Sequence, residues 1–339
     1  MGEEPIGGYF ELELRKGKEY YPDAIKLNSG RNCLNYIILA QNVKKIYMPF
    51  LNDRSMIEES IRKATNLDFY SVDDNFEMKE FIELREGEKI LYVNYYSLKD
   101  SYIKKLAQIY GDKLIVDNTQ AFYSRPLPGI DTLYSVGGKY FGVPGGGYLF
   151  TKYRLDESRL EQDYNFDEDY NFYKMTHLLG RIDHSPEKFY EAYLTLMKKK
   201  YNQPIKKMSR LSRAILESID YERVKLIRER NFYYIHSELR DINQLKFDNT
   251  YLEGPFDYPL LINNGEFIKK KLIERKIYVP TYWNAVLDYG YWKSVFKNDG
   301  PKGSEENLVR NIVPLPIDQR YSLDDMSRML KNLFEIVKS

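Results

Sequence analysis

The chain has 339 residues, of which 43% are hydrophobic, and this composition predicts a globular protein with two domains. Its 51 basic residues nearly balance its 50 acidic residues, so charge favours neither a nucleic acid nor an anionic membrane as partner. Residues 1–21 lack the apolar core of a signal peptide, and no stretch approaches the roughly 20 apolar residues that span a bilayer. The single cysteine, Cys33, cannot form an internal disulfide. We therefore expect a cytoplasmic protein.

Strand-like and helix-like segments alternate along the first two thirds of the chain, which is typical of a doubly wound α/β fold with a mostly parallel sheet. Runs rich in β-branched and aromatic residues predict strands at 45–50, 67–72, 89–96, 113–117, 132–136 and 146–151. Helical periodicity predicts helices at 54–64, 77–84 and 100–110.

The sequence changes character between residues 154 and 207, where charged residues and tyrosines accumulate. This composition predicts solvated loops and helix faces, or a contact surface, since tyrosines suit interfaces. A long helical passage is predicted at 205–240. A smaller α/β unit closes the chain, with strands at 258–262 and 311–315 and helices at 266–275 and 323–338. We place the domain boundary near residue 215, giving a large domain of residues 1–215 and a small domain of residues 216–339.

An acid and a lysine end two neighbouring predicted strands. Asp117 closes the run Lys113–Val116, and Lys139 follows the run at 132–136 after two glycines. In open α/β sheets the carboxyl ends of strands meet at the edge where ligands bind, so both side chains should lie at one edge. Pyridoxal phosphate (PLP) enzymes need this pair, a lysine that bonds covalently to the cofactor and a carboxylate that faces the pyridine nitrogen. The simpler interpretation is a surface acid and a solvated lysine.

A second feature is the stretch at residues 28–32, Asn-Ser-Gly-Arg-Asn, which directly precedes the apolar periodicity beginning at Leu34. Serine and glycine at this place predict the start of a helix, whose free N–H groups and positive dipole end suit an anion. An ordinary N-cap without a ligand would give the same pattern.

Other chemistries have little support in the sequence. The three histidines, His177, His184 and His236, match no zinc spacing, and we expect no metal site. No nucleotide-binding glycine loop and no GxSxG serine elbow is present.

Four patches of the chain, in order, resemble the DegT family of PLP-dependent sugar aminotransferases, which have the aspartate aminotransferase fold, known as fold type I. The patches are a phosphate loop at 28–34, an acid-x-x-Gln element at 117–120, a lysine followed by a glycine-rich strand at 139–148, and a closing strand at 314–321. The resemblance implies a large PLP-binding domain with a mostly parallel sheet and a small C-terminal α/β domain.

The resemblance also implies roles for individual residues. Asp117 would hold the pyridine nitrogen protonated, Lys139 would bind the cofactor and move protons, and Gln120 would donate to the ring hydroxyl. Cofactor phosphate binding is implied for Ser135 and for the helix start, namely Ser29, Gly30, Arg31 and Asn32.

Aromatic residues are expected to cover the cofactor ring. Phe50, at the end of the second strand, is the first candidate, with Tyr95 and Tyr96 as substitutes, although a core position is the usual one for any aromatic residue. The segment 279–284 occupies the place where the family's small domain borders the substrate. We therefore expect the substrate to meet Tyr95, Tyr282, Trp283 and Asn284.

The function implied by the resemblance is transfer of an amino group from glutamate to a keto-sugar nucleotide, in surface polysaccharide or related sugar biosynthesis, by a homodimer. Arg320, the nearest candidate for a carboxylate-binding arginine, is expected to form a structural ion pair instead. The family's Asn-Tyr-Arg element is matched faintly by Tyr201-Asn202 alone. Two alternatives therefore stay open, a catalytically degenerate binding module and another PLP-dependent carbanion chemistry such as elimination or aldol cleavage.

Overall fold

A computed structural model describes residues 8–156, 158, 160–163, 169–199, 203–247, 251–301 and 303–338, with the backbone alone for 169–174 and 197–199. Seven strands form the main sheet: β1 (Ile25–Leu27), β2 (Lys45–Pro49), β3 (Asn66–Tyr70), β4 (Glu88–Val93), β5 (Leu114–Asp117), β6 (Asp131–Ser135) and β7 (Gly147–Phe150). A second sheet pairs β8 (Tyr258–Leu261) with β9 (Ile312–Leu315).

Helices cover and connect these strands. In chain order they are α1 (Gly30–Gln41), α2 (Glu59–Ala64), α3 (Asp100–Tyr110), α4 (Asp169–Asp183), α5 (Tyr190–Lys199), α6 (Arg210–Ser218), α7 (Tyr221–Leu239), α8 (Gly265–Glu274), α9 (Tyr289–Tyr291), α10 (Ser304–Asn311) and α11 (Leu323–Lys338). Within the described ranges, no helix is both long and apolar enough to cross a membrane.

The main sheet has the strand order β1-β7-β6-β5-β4-β2-β3. The strands from β2 to β6 pair in parallel, while β7 runs antiparallel to β6 and β1. The central strands β4 and β5 are buried almost throughout, as expected where helices cover both faces of a parallel sheet. The predicted α/β fold with a mostly parallel central sheet is confirmed.

The prediction of a helix at 77–84 is wrong. The structure has no helix there, because neighbouring side chains hold the backbone N–H groups in an extended path. The phenol of Tyr102 accepts from Met78 N at 3.1 Å, and the phenol of Tyr110 accepts from Ile82 N at 3.0 Å. Both tyrosines lie on α3, so a tertiary contact overrides the local helical pattern.

Two other predicted helices are divided. The segment 54–64 begins with a 3₁₀ turn, Arg54–Ile57, before α2. The passage 205–240 contains α6 and α7, and Asp220 caps the start of α7 by accepting a hydrogen bond from Arg223 N at 3.1 Å. An aspartate at this position favours a new helix start over a continuous helix.

The C-terminal part of the chain has a core of its own. It is formed where α7, α8 and α11 pack against β8 and β9, and its buried members all come from residues 232–336. The main core instead combines the large sheet with residues such as Trp283 and Trp292 from the later part of the chain. The domain boundary near residue 215 stays a prediction.

Candidate active site

Three adjacent parallel strands deliver the predicted site residues to one edge of the sheet. The strands β4, β5 and β6 are neighbours and point the same way, so their carboxyl ends lie side by side. Tyr95 and Tyr96 follow β4, Asp117 ends β5, and Ser135 ends β6 shortly before Lys139. The topology thus brings together the acid and the lysine that the sequence places far apart.

Asp117 is a buried carboxyl at the centre of this edge, with 4% of its surface exposed. Burial raises the pKa of Asp117 to about 6, although a hydrogen bond from Thr119 N at 2.8 Å and the charge of Lys139 act in the opposite direction. The carboxylate of Asp53, in the loop after β2, raises the pKa further. A cation placed against Asp117 would therefore be strongly favoured.

Lys139 is partly buried, and its Nζ lies 5.7 Å from the centroid of the Tyr282 ring. The next residue, Tyr140, anchors the lysine loop, because its hydroxyl donates to the Gln120 carbonyl oxygen at 3.0 Å and lies 3.0 Å from Ser97 Oγ. The loop that carries the lysine is thus fixed to the loop that follows Asp117.

Gln120 is buried beside Tyr96, whose backbone N–H donates to its Oε1 at 3.0 Å. The carboxamide oxygen is therefore committed to the protein. The amide N–H₂ group is the part of Gln120 with the chemistry to donate to a hydroxyl group, and its contact with a cofactor stays a prediction.

The start of α1 lies against the end of β6. Ser29 is the N-cap, and its Oγ accepts a hydrogen bond from Asn32 N at 3.2 Å. A Cβ added to Gly30 would lie 2.7 Å from the Cβ of Ser135, so only glycine lets the helix approach the serine this closely. The predicted phosphate residues Ser29, Gly30 and Ser135 are thus neighbours in space.

Asn32 is a correction within this group. Its backbone N–H is taken by Ser29, and its Nδ2 donates to the Pro204 carbonyl oxygen at 2.8 Å and to Asn28 Oδ1 at 2.8 Å. Asn32 therefore fastens the helix start to the segment before α6, a structural role. Arg31 is buried as well, with 6% of its surface exposed, and does not extend into solvent.

Phe50 lies in an aromatic cluster. Its ring stacks on Phe69, with centroids 5.4 Å apart, and meets Trp292 edge-on at 5.2 Å. Phe50 follows β2, which is separated from β5 by β4. A role of Phe50 at the cofactor ring stays a prediction.

Two of the predicted substrate residues, Tyr282 and Tyr95, differ in position. The Tyr282 ring lies near Lys139, as described above. Tyr95 is fully buried, stacks on Phe76 at 4.9 Å and donates to the Leu51 carbonyl oxygen at 2.9 Å, so it is a core residue with no surface for a substrate. The Trp283 ring packs edge-on against the Tyr95 ring, with centroids 5.3 Å apart.

Asn284 is exposed at the start of the 3₁₀ turn Asn284–Leu287, and its described contacts include neither Lys139 nor Asp117. The Tyr201-Asn202 pair lies outside the described residues. Arg320 forms the expected ion pair, a bidentate contact to Asp318 at 2.7 and 2.8 Å.

One site residue was missed by sequence reasoning. Asp257, just before β8, is a buried carboxyl that accepts a hydrogen bond from the Tyr282 hydroxyl at 2.7 Å. Burial raises the pKa of Asp257 to about 6, against the smaller opposing effect of the Lys139 charge. The sequence Gly-Pro-Phe-Asp-Tyr at 254–258 reads as an ordinary turn before a strand. No local motif distinguishes Asp257 from a capping residue.

Cavity size does not mark the site. Cavities of about 230 and 370 Å³ lie on the surface, and neither is lined by Lys139, Asp117 or Asp257. Among the described residues, no group of three histidine, cysteine, aspartate or glutamate side chains is arranged to hold a metal ion. The site is defined by the convergence of its side chains.

No protein-family profile and no curated protein sequence matches this chain. Solved structures do match it over most of its length. A DegT DnrJ EryC1 StrS aminotransferase from Brucella abortus superposes with a TM-score of 0.60 at 15% identity, covering 92% of this chain and 85% of that one.

Ntda from Bacillus subtilis, solved with the bound cofactor PMP (the amine form of PLP), superposes with a TM-score of 0.61 at 18% identity, covering 93% of this chain and 73% of that one. The PMP form of Spr1654 from Streptococcus pneumoniae, a putative sugar aminotransferase, superposes with a TM-score of 0.64 at 14% identity. The match covers 93% of this chain and 86% of that one. The chain therefore has the fold of these aminotransferases. At this identity the likeness defines the fold, and activity must be argued from the site.

The contact between Gly30 and Ser135 gives a prediction with a matched control. Gly30→Ala forces α1 away from β6 and should lower the free energy of unfolding by about 1–3 kcal/mol, the usual cost of overpacking. Gly142→Ala adds the same methyl group where no atom lies within 4 Å, and should change stability by less than about 0.5 kcal/mol. Urea denaturation of both variants measures the difference, and equal stabilities would refute the close contact.

Proposed function

We propose that this chain is a PLP-dependent aminotransferase that transfers an amino group from glutamate to a keto-sugar nucleotide, in surface polysaccharide or related sugar biosynthesis. The observation that carries the proposal is the convergence of buried Asp117, Lys139 and the Ser29–Gly30–Ser135 corner at one sheet edge. Its fold, shared with solved aminotransferases, supports the same conclusion.

The described residues fit the cofactor. Asp117 is a buried carboxyl that a protonated pyridine nitrogen would neutralise. The corner of Ser29, Gly30 and Ser135 offers hydroxyl groups and a helix N-terminus to a phosphate. Lys139 supplies the amine for the covalent bond. Bound PLP supplies an electron sink for the negative charge that develops at the substrate carbon.

The protein residues then divide the remaining work. Asp117 keeps a proton on the ring nitrogen, because an ionised carboxylate stabilises the positive charge there. The Lys139 amine, once free, takes a proton from one carbon and returns it to another, as a general base and then a general acid. The Tyr282 ring lies near the lysine and packs against Tyr96, with ring centroids 6.1 Å apart, so it would cover one side of the reacting group.

The sugar substrate is proposed from the matching structures. Spr1654 is described as a putative sugar aminotransferase, and CalS13 from Micromonospora echinospora as a sugar aminotransferase. The side chains here agree with this choice, because Arg320, the nearest arginine considered for a substrate carboxylate, is already paired with Asp318. The cytoplasm is the proposed compartment, since a buried cysteine thiol, Cys33, is stable there.

We further propose a homodimer. The hairpin of α4 and α5 carries exposed apolar side chains, with Leu179 50%, Ile182 78% and Tyr190 54% exposed. Grouped apolar residues of this kind on a surface are typical of protein interfaces.

Sedimentation equilibrium of the full chain should give twice the monomer mass. A monomer with full cofactor content and activity would exclude the dimer.

Asp117→Asn tests the proposed chemistry. The variant should still bind PLP but transfer amino groups more slowly by at least the roughly 10²–10⁴-fold typical of losing one acid or base, because the ring nitrogen loses its counter-charge. Asp112→Asn is the control, since Asp112 lies just before the same strand in an exposed ion pair with Lys152. Single-turnover kinetics with glutamate measures both, and near-normal rates for Asp117→Asn would remove Asp117 from the site.

A further inference from the structure

Asp257 is a buried carboxyl that has no part in the chemistry described above. It is 9% exposed, and among the described residues Tyr282 is the one side chain that hydrogen-bonds to it, through Oδ2. A carboxylate offers about four acceptor positions on its two oxygens, so most of the hydrogen-bonding capacity of Asp257 is unused by the protein.

Tyr282 connects this carboxyl to the lysine. Its hydroxyl donates to Asp257, while its ring lies over Lys139 Nζ at 5.7 Å. The phenol oxygen keeps its lone pairs for a second hydrogen bond. Asp257 and Tyr282 therefore present one carboxylate oxygen and one phenol oxygen beside the reacting amine.

A rigid frame holds this pair in place. The guanidinium of Arg228, on α7, donates to the carbonyl oxygens of Pro255 at 3.2 Å and Phe256 at 2.8 Å, directly before Asp257. It also donates to the Tyr140 carbonyl oxygen at 3.3 Å, directly after Lys139. Arg228 thus fixes the loop of Asp257 to the loop of the lysine. Side chains held rigidly in this way are suited to binding a ligand.

The arginines around the pair are already bonded within the protein. Arg228 donates to backbone oxygens and to Gln319, and Arg320 is paired with Asp318, so neither has its guanidinium available to a substrate carboxylate. Burial raises the pKa of Asp257 to about 6, with Asp318 raising it and Tyr282, Arg228 and Lys139 lowering it, so the carboxyl is ionised at neutral pH. An ionised, buried carboxylate accepts strong hydrogen bonds from hydroxyl groups.

We propose that Asp257 and Tyr282 bind a hydroxyl group of the acceptor substrate near Lys139, and that this contact recognises polyhydroxylated acceptors. The proposal rests on the proposed function and adds to it the residues that determine the substrate class. Asp257 accepts a hydrogen bond from the substrate hydroxyl. Tyr282 orients the carboxylate through its hydroxyl and the lysine through its ring.

The test compares Asp257→Asn and Tyr282→Phe with two controls, Asp241→Asn and Tyr278→Phe, at exposed positions. Each protein is loaded with PMP and reacted in single turnovers with a panel of keto-sugar nucleotides and with 2-oxoglutarate. Calorimetry measures the affinity of the same sugar nucleotides for the protein without cofactor, which gives a readout independent of turnover.

Losing a hydrogen bond to a charged group should weaken sugar-nucleotide binding by about 10–100-fold in Asp257→Asn, in both the calorimetric and the kinetic measurement. The reaction with 2-oxoglutarate should be unchanged, because this molecule has no hydroxyl group for Asp257 to bind. Tyr282→Phe, which keeps the ring over Lys139, should show a smaller loss in the same direction, and the controls should match the wild-type protein.

The measurements distinguish a failure of the proposed function from a failure of the roles assigned to Asp257 and Tyr282. A wild-type protein that binds no PLP, or transfers to none of the sugar nucleotides, overturns the proposed function itself. A wild-type protein that is active, with unchanged sugar-nucleotide affinity in both variants or equal losses for the sugar nucleotide and 2-oxoglutarate, overturns the assignment of Asp257 and Tyr282 alone.

Discussion

The parallel pairing of β4, β5 and β6 is the constraint on which the site depends. Because parallel strands end at the same edge, the residues that follow them meet there, even though the chain crosses back between one strand and the next. Asp117 stays buried because it ends the middle strand of the three. Its raised pKa follows from that position, and so does its suitability as the partner of a cation.

A second set of contacts closes the site from the C-terminal part of the chain. Arg228 and Gln319 both donate to the Tyr140 carbonyl oxygen, next to Lys139, at 3.3 and 2.8 Å. The loop of Asp257 is held by the same arginine. In the proposed function, the sheet edge would therefore supply the cofactor residues, and the later part of the chain would supply the residues that recognise the substrate.

The sequence predicted the features that depend on strand ends and helix starts. Asp117, Lys139 and the Ser29 cap were predictable because each belongs to a local pattern, a buried run or a capped helix. The packing of Phe50 against Phe69 and Trp292 was not predicted, because it depends on distant contacts that local sequence does not encode. The missing helix at 77–84 and the role of Asp257 depend on contacts with distant tyrosines, Tyr102 and Tyr110 in one case and Tyr282 in the other.

The most direct test of the account is to identify the lysine that binds PLP. The full chain is incubated with PLP, reduced with borohydride and digested, and the labelled peptide is identified by mass spectrometry, with Lys139→Ala treated in parallel. The account predicts a visible absorption band that borohydride removes, a label on Lys139 in the wild-type protein, and neither band nor label in the variant. A label on a different lysine, or a wild-type protein that takes up no PLP, would contradict it.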